Sequence, residues 1–285
     1  MAMTVAVPPV AGRTSALTVS RGGGRVARVI VTAALVVWFA LPFLPLLMWS
    51  GANQWSFPSP VPTAWGARGV NGAIGFGAAP AMATSLVLSL AVAAIATPLG
   101  GLAARALTLG AVPFPRTVAV ILLSPVALPP IAAVLGVNIV LLRSYVPPVL
   151  GTVLVLVVLA LPYTAFVMRA AYGAYDIRYE ENARLLGAGR LQTFLGVQLP
   201  LLAPALARAA FLAFLVAWSD YLVTVIVGGG TLVTLPVVVA GAASAVGNDA
   251  AVAVMSLAAI VPPLALLVAT LWLGRRPARR SGGST

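Results

Sequence analysis

The sequence predicts an all-α, polytopic membrane protein with six transmembrane helices. Apolar residues make up 61% of the chain and charged residues only 8%, whereas about 25% of the residues in a typical soluble domain are charged. Six segments are apolar over the length of about 20 residues that a membrane-spanning helix needs. The basic residues also collect on one side of these segments.

The predicted spans occupy residues 29–49, 82–103, 117–141, 149–171, 205–227 and 250–273. Prolines recur inside them and predict kinked core helices, because proline removes a helical hydrogen bond. In the second span, the spacing of Gly100 and Ala104 predicts a close helix–helix contact. A basic tail of residues 1–28 precedes the transmembrane domain of residues 29–273, and residues 274–285 form a second basic tail.

The positions of the arginines predict how the spans are oriented. Fifteen of the seventeen arginines lie in the two tails, between the second and third spans, or in and around the segment between the fourth and fifth spans, and only Arg68 and Arg143 lie on the other side. The positive-inside rule therefore places both termini, and the loop of residues 172–204, in the cytoplasm. This orientation explains the net charge of +12 without nucleic-acid binding.

Three residue types are missing from the chain, and their absence excludes several kinds of site. There is no Cys, His or Lys. The usual zinc, haem and iron–sulfur ligand sets cannot be built without Cys or His, so no metal site is predicted. Without Lys the chain has no Walker-A lysine and cannot itself be a P-loop ATPase. No catalytic residues are predicted.

The loop of residues 172–204 concentrates three of the five acidic residues of the chain, Asp176, Glu180 and Glu181. Asp176 predicts an N-cap, and Glu180 with Arg184 predicts an i,i+4 pair on a short helix. Two glycines then end this helix, and a second apolar-faced segment is expected to stop near Pro200. An amphipathic helix lying on the lipid surface is the structural alternative.

Outside the spans, residues 51–81 show no helical period, and the triple glycine in residues 227–248 predicts a flexible outer turn. Asp220 is the one carboxylate inside a predicted span. It either faces a translocation path and attracts a cation such as a polyamine, or it has a structural role: pairing with backbone, Arg143 or Arg208, or capping a helix break. The structural role is favoured. Further polar candidates for the path are Asn138, Ser219, Ser124 and Thr224.

The stretch "EENARLLGAGRLQTFLGVQLP", residues 180–200, resembles a known motif. Glu181-Asn182-Ala183, Gly187 and the closing Val-Gln-Leu-Pro resemble the EAA loop, E-A-A-x3-G-x9-I-x-L-P, of permease subunits of binding-protein-dependent ABC importers. Asn182 replaces the middle Ala and Val197 replaces Ile. The spacing is otherwise complete, and the loop precedes the penultimate span, as in that family.

The resemblance implies a type I ABC importer permease fold of the maltose/polyamine type in a bacterial inner membrane, with a coupling helix between spans four and five. It implies that this loop docks on a separate ATPase. The residues it assigns to docking are Glu181, Ala183, Leu186, Gly187, Leu199 and Pro200.

The implied partners are two ATP-binding-cassette ATPases that bind ATP and Mg²⁺, a second permease subunit (homologous or a copy), an extracytoplasmic binding protein and membrane lipid. This chain itself would need no cofactor and would not be an enzyme. The implied solute is small and polar, such as a polyamine, a thiamine-like compound, a sugar or an oxoanion. The alternative is a stand-alone secondary transporter or channel, which would show inverted repeats or ionisable residues in several spans.

Overall fold

The computed structural model describes residues 21–56, 58–110 and 112–274. The chain divides into two units, residues 1–45 and residues 46–285. Four of the described helices are each long and apolar enough to cross a membrane, and the number rises to six if two broken pairs count as one span each. This confirms the predicted all-α polytopic fold. Most of the two predicted tails, residues 1–20 and 275–285, lies outside the described residues.

The elements are, in chain order, α1 (Arg21–Ala40), α2 (Phe43–Ser50), β1 (Ala52–Gln54), β2 (Ala64–Trp65), α3 (Arg68–Gly75), α4 (Ala78–Thr108), α5 (Pro115–Ala127), α6 (Pro130–Arg143), α7 (Pro148–Gly173), α8 (Arg178–Leu185), α9 (Arg190–Thr193), α10 (Leu199–Trp218), α11 (Leu222–Ile226), α12 (Leu235–Ala243) and α13 (Asp249–Gly274). A π-helical turn, Phe194–Gln198, joins α9 to α10 without a break.

The first predicted span consists of two helices. Helix α1 begins at Arg21, before residue 29, so part of the predicted tail is helical. It ends at Ala40, and α2 resumes at Phe43. Pro42 and Pro45 have no N–H to donate to the preceding turn, which explains why the helix is interrupted there.

The core of the second unit is formed by α4, α7 and α10, which pack against one another. Small residues allow their backbones to approach: Ala96, Ala160 and Ala213 are fully buried. Thr164 Oγ1 on α7 donates a hydrogen bond to the Ala96 carbonyl on α4 at 3.2 Å. Gly100 on α4 also lies against Thr164, with no room for a Cβ. The predicted close contact at Gly100 is confirmed.

Helix α13 contains two prolines, and a neighbouring helix compensates for one of them. Pro263 cannot donate the hydrogen bond that the carbonyl of Ala259, four residues earlier, would otherwise accept. The Trp218 indole Nε1–H on α10 donates to that carbonyl at 3.0 Å. The carbonyl that Pro263 leaves without an intrahelical partner is thus satisfied by an interhelical bond, as membrane-spanning segments require.

The third predicted span, residues 117–141, is not one straight helix. Helices α5 and α6 form a sharp bend of 105°. The break lies at Leu128, whose ψ of 143° is extended, and at Pro129. The residue before a proline disfavours the α conformation, and the pair Pro129–Pro130 supplies no backbone N–H. The sequence analysis predicted kinks at the prolines of this span, but it did not predict a bend as large as this one.

The fifth predicted span, residues 205–227, also has different bounds. The helix runs continuously from Arg190 through the π turn to Trp218 and stops there, and α11 follows after a short break. The outer segment of residues 227–248 holds the predicted glycine turn, with φ of 54° at Gly229 and 81° at Gly230. It also holds α12, which packs against α4 and α13 and was not predicted.

Regular structure also occurs in residues 51–81, where the sequence shows no helical period. Strands β1 and β2 pair antiparallel, and α3 packs against α13. The Asn53 side chain accepts a hydrogen bond from the Arg68 backbone N–H at 3.0 Å, which joins the hairpin to the start of α3. Elements of two to eight residues are too short to show a period in the sequence.

Candidate functional site

The start of α8 is held by its own acidic residues. The Asp176 carboxylate accepts a hydrogen bond from the Arg178 backbone N–H at 3.0 Å and pairs with the Arg178 guanidinium. These bonds to Arg178 lower the pKa of Asp176 below its usual value. Glu180 and Glu181 lie in the first turn, where a negative charge is stabilised by the positive end of the helix dipole. The sequence predicted Asp176 as the N-cap, whereas the N-cap is Ile177, and Asp176 lies one residue before it.

Glu180 points inward and binds the end of a membrane-spanning helix. Its side chain is only 3% exposed. Arg105, in the last turn of α4, binds both carboxylate oxygens: Nη1 lies 3.0 Å from Oε1 and Nη2 lies 2.8 Å from Oε2. The predicted i,i+4 pair with Arg184 is also present at 3.4 Å. The sequence placed Glu180 as a support of the helix but did not identify Arg105 as its main partner.

Two tyrosines and a glutamine surround this pair. The Gln198 side-chain amide donates to the Tyr172 hydroxyl at 2.8 Å, which joins the π turn to the end of α7. The Tyr172 and Tyr175 rings meet edge to face at 6.2 Å. The Tyr175 hydroxyl is buried and has no hydrogen-bond partner within the described part of the chain. Burial, together with the negative charge of Glu180, raises the pKa of Tyr175 to about 12.

The end of α8 is a tight turn that requires glycine. Gly187 has a φ of 90°, which side chains other than glycine adopt only with strain. Its N–H bonds the Arg184 carbonyl at 2.9 Å, and the Ala188 N–H bonds the Ala183 carbonyl at 3.0 Å. These two bonds form a Schellman motif, the usual glycine-dependent helix end. The predicted turn at Gly187 is confirmed.

The segment after this turn does not stop at Pro200, contrary to the expectation from sequence. Leu199 keeps helical angles, φ −61° and ψ −47°, although residues before proline usually avoid them. The π turn explains the difference: the Leu199 N–H bonds the Phe194 carbonyl, five residues earlier, so the hydrogen-bond ladder shifts by one residue directly before Pro200, which has no N–H to donate. Leu199 and Pro200 are both exposed.

The outer surface of this loop is apolar and acidic. We define the exposed end of α8 as Glu181, Leu185, Leu186 and Gly187. Leu185 is 84% exposed and Leu186 is 89% exposed. Glu181 is exposed, and within the described residues its carboxylate accepts no hydrogen bond and forms no salt bridge. Ala183 is half-buried beneath this surface. Of the predicted docking residues, Glu181, Leu186 and Gly187 thus lie together.

Asp220 lies in the break between α10 and α11. Its carboxylate accepts hydrogen bonds from the Val223 N–H at 3.2 Å, the Thr224 N–H at 2.9 Å and the Thr224 hydroxyl at 2.9 Å. It therefore caps α11, which is one of the structural roles considered from sequence. Among the described residues it forms no salt bridge with Arg143 or Arg208. Its contact with a solute stays a prediction.

The polar residues predicted for the translocation path are only partly together. Ser219 and Asp220 line a cleft with Tyr163 and with residues of the α5–α6 bend. Asn138, on α6, is half-buried and does not line this cleft. The Ser219 hydroxyl donates to the Leu215 carbonyl at 2.8 Å. Tyr163 is a polar neighbour that the sequence did not single out.

Comparison with known proteins identifies the family. Residues 96–280 match the family described as the binding-protein-dependent transport system inner membrane component. The chain belongs to this family. The resemblance predicted from the EAA-like spacing is therefore confirmed, and the matched range contains the whole of α8, Arg105 and Asp220.

Several relatives are permease proteins by name. ORF1 of Streptomyces antibioticus, provisionally named an ABC transporter permease protein, is 34% identical over 148 residues, 50% of this chain and 63% of ORF1. The molybdenum transport system permease protein ModB of Escherichia coli K12 is 27% identical over 135 residues, 46% of this chain and 59% of ModB. The trehalose transport system permease protein SugB of Mycobacterium tuberculosis is 29% identical over 127 residues, 44% of this chain and 46% of SugB. The matches span between 46% and 63% of the length of these relatives.

Proposed function

We propose that this chain is the membrane permease subunit of an ATP-binding-cassette importer. The observation that carries the proposal is the exposed end of α8. Within seven residues it combines an exposed carboxylate, two strongly exposed leucines and a glycine turn, and contiguous exposed apolar groups mark interaction surfaces. Family membership supports the proposal, because the family is an inner membrane component of binding-protein-dependent transport.

In this proposal the partner at α8 is an ATPase subunit, which binds ATP and Mg²⁺. Glu181 meets donor groups on the ATPase in charge-assisted hydrogen bonds, while Leu185 and Leu186 enter an apolar groove. Two ATPases close on ATP binding and move the helices docked on them, a rigid-body transition that opens the path alternately to each side. This chain contains no Lys and therefore lacks the lysine that a P-loop ATPase needs. ATP hydrolysis by the partner subunit has to supply the energy for the transition.

The full assembly that we propose also holds a second permease subunit and an extracytoplasmic binding protein. Both termini of this chain face the cytoplasm, which the arginine distribution supports. The solute is small and polar. The names of the relatives refer to molybdenum, trehalose and, for MdxG of Bacillus subtilis, maltodextrin. These names support sugars and oxoanions among the candidate solutes, which also include polyamines and thiamine-like compounds, as a proposal for this chain.

The test is co-expression of the chain with its genomic neighbours, followed by purification to ask whether an ATPase co-purifies and hydrolyses ATP. Glu181→Ala is expected to insert normally and to weaken ATPase binding by about tenfold or more, since removing one member of an interfacial charge pair costs several kcal/mol. Gly187→Ala is expected to weaken binding as well, because alanine strains at a φ of 90° and displaces the turn.

The matched control is Gly189→Ala. Gly189 has an ordinary φ of −69°, and an added Cβ there meets nothing closer than Gln192 Oε1 at 3.8 Å. This control is expected to bind the ATPase as the wild type does. Unchanged ATPase binding and transport in both Glu181→Ala and Gly187→Ala would refute the docking role. The solute is identified separately by a thermal-shift ligand screen on the neighbouring binding protein.

A further inference from the structure

The short helix α8 packs against α9 and the π turn, and in the described residues its side-chain hydrogen bonds to α4 are concentrated in one ion pair. Within the described part of the chain, the side-chain hydrogen bonds between α8 and a spanning helix are those that the Arg105 guanidinium donates to the Glu180 carboxylate. Its other side-chain bonds stay within residues 176–184. Any force on α8 that is carried by side-chain bonds therefore reaches the end of α4.

Arg105 is well placed to receive such a force. The preceding residue, Ala104, is fully buried and packs in a cluster with Met168 and Tyr172 of α7 and with Leu202 and Ala209 of α10. The end of α4 thus packs against both α7 and α10 at this position. A displacement of α4 at this position is therefore passed to these neighbours, because packed side chains transmit strain.

The geometry of the pair makes it resistant to both stretching and rotation. Two parallel N–H···O bonds, at 3.0 and 2.8 Å, join the planar guanidinium to the planar carboxylate. Such a bidentate arrangement fixes orientation as well as distance. The carboxylate is almost completely shielded from water, so water competes weakly for these bonds. The pair between Asp176 and Arg178 differs, because it is exposed and joins residues only two positions apart.

We propose that Glu180 and Arg105 are positioning residues that carry the displacement of α8 into α4, and so couple ATPase movement to the transport path. This inference rests on the proposed function. Glu181 and the leucines of the exposed end of α8 meet the partner, and Glu180, on the opposite side of the same helix, passes the movement inward. The pair is distinct from the docking surface, so docking and coupling are separable by mutation.

The experiment measures solute transported per ATP hydrolysed in vesicles that contain the permease, the ATPase and the binding protein. Glu180→Gln keeps the size of the side chain and removes its charge, and Arg105→Met removes the guanidinium. Both variants are expected to retain ATPase binding within about twofold. Their transport per ATP is expected to fall about tenfold, the upper range for residues that carry coupling between sites. Arg116→Met, an exposed arginine of α5, is the control and is expected to behave as the wild type.

Because the chain contains no cysteine, a covalent replacement of the pair is also available. The double variant Arg105→Cys/Glu180→Cys is expected to be uncoupled, and joining the two thiols with a bifunctional thiol-specific reagent is expected to restore transport per ATP. The wild type treated with the same reagent is the control. A role limited to protein stability would change the amount of folded protein but not this ratio.

The outcomes separate the possible failures. An unchanged ratio in both Glu180→Gln and Arg105→Met overturns the inference, and so does loss of ATPase binding with an unchanged ratio in the complexes that remain. Failure of the thiol bridge to restore the ratio also counts against it. If the wild-type chain binds no ATPase at all, the proposed function itself is wrong.

Discussion

The contact between α4 and α7 at Gly100 gives a sharp test of how the core is packed. In Gly100→Ala, the new Cβ would overlap Thr164 Oγ1 and would lie 2.7 Å from Thr164 Cβ and 2.9 Å from the Ala165 backbone N. Rotation of the Thr164 side chain relieves only the first overlap. The two helices therefore have to separate, and the Thr164 bond to the Ala96 carbonyl is stretched or lost.

The adjacent glycine supplies a matched control. In Gly101→Ala, the nearest atoms are Met168 Cε at 3.9 Å and Cγ at 4.0 Å, which is ordinary contact. Both substitutions gain about the same helix propensity, up to about 1 kcal/mol, so this gain cancels in the comparison. Overpacking costs about 1–3 kcal/mol, and the loss of one hydrogen bond adds about 1 kcal/mol. Gly100→Ala is thus expected to be about 2–4 kcal/mol less stable than Gly101→Ala.

The assay is thermal unfolding of the two purified variants and the wild type in the same mild detergent. At about 2–4 °C per kcal/mol for a chain of this size, Gly100→Ala is expected to melt roughly 4–16 °C below Gly101→Ala. Gly101→Ala should melt at or slightly above the wild type. Equal melting temperatures for the two variants would show that α4 and α7 are not in the close contact described here, and the packing argument would fail.

Two further predictions concern Asp220 and Tyr175. Asp220→Asn keeps one oxygen to accept from the Thr224 N–H and hydroxyl, and it loses the acceptor of the longer bond from the Val223 N–H at 3.2 Å. Asn and Asp cap about equally well, so we expect at most a small decrease in melting temperature and unchanged solute uptake. A similar melting temperature with lost uptake would instead show that the charge acts on the solute. The pKa of Tyr175 is raised from 10.0 to about 12, so the unfolded chain loses this proton first and stability falls as the pH rises between these values. The melting temperature, measured from pH 9 to pH 11.5, should therefore fall less steeply with pH in Tyr175→Phe than in Tyr145→Phe, the control at an exposed site. Equal slopes of melting temperature against pH in the two variants would contradict this account.

Much of the α8 loop was predictable because its determinants are local. The helix start near Asp176, the Glu180–Arg184 pair and the Gly187 turn each depend on residues within five positions of one another. The spacing from Glu181 to Pro200 was sufficient to predict the family, which the match over residues 96–280 confirms. The roles of Glu181 and Leu186 in docking stay predictions.

The errors lie where helices break or continue. The sequence predicted one span over residues 117–141, where two prolines produce a bend of 105°. It predicted a stop near Pro200, where a π turn carries the helix onward. It also extended the fifth span past Trp218, where Asp220 begins a new short helix. At each of these three positions the sequence stays apolar on both sides, so hydropathy does not show whether the helix continues or breaks. Only the backbone conformation in the structure shows this.

The sequence by itself determined that this is an Arg-only, multi-span membrane protein, and it determined the identity and spacing of the loop that places it in its family. Composition and short-range spacing suffice for that, because membrane insertion and helix caps depend on nearby residues. Only the tertiary structure decided that Glu180 is buried on Arg105, 75 positions away in the chain, while Glu181 beside it is exposed. Two adjacent acids of the same type differ in environment because helix geometry turns one toward the core, and no local sequence pattern identifies Arg105 as its partner.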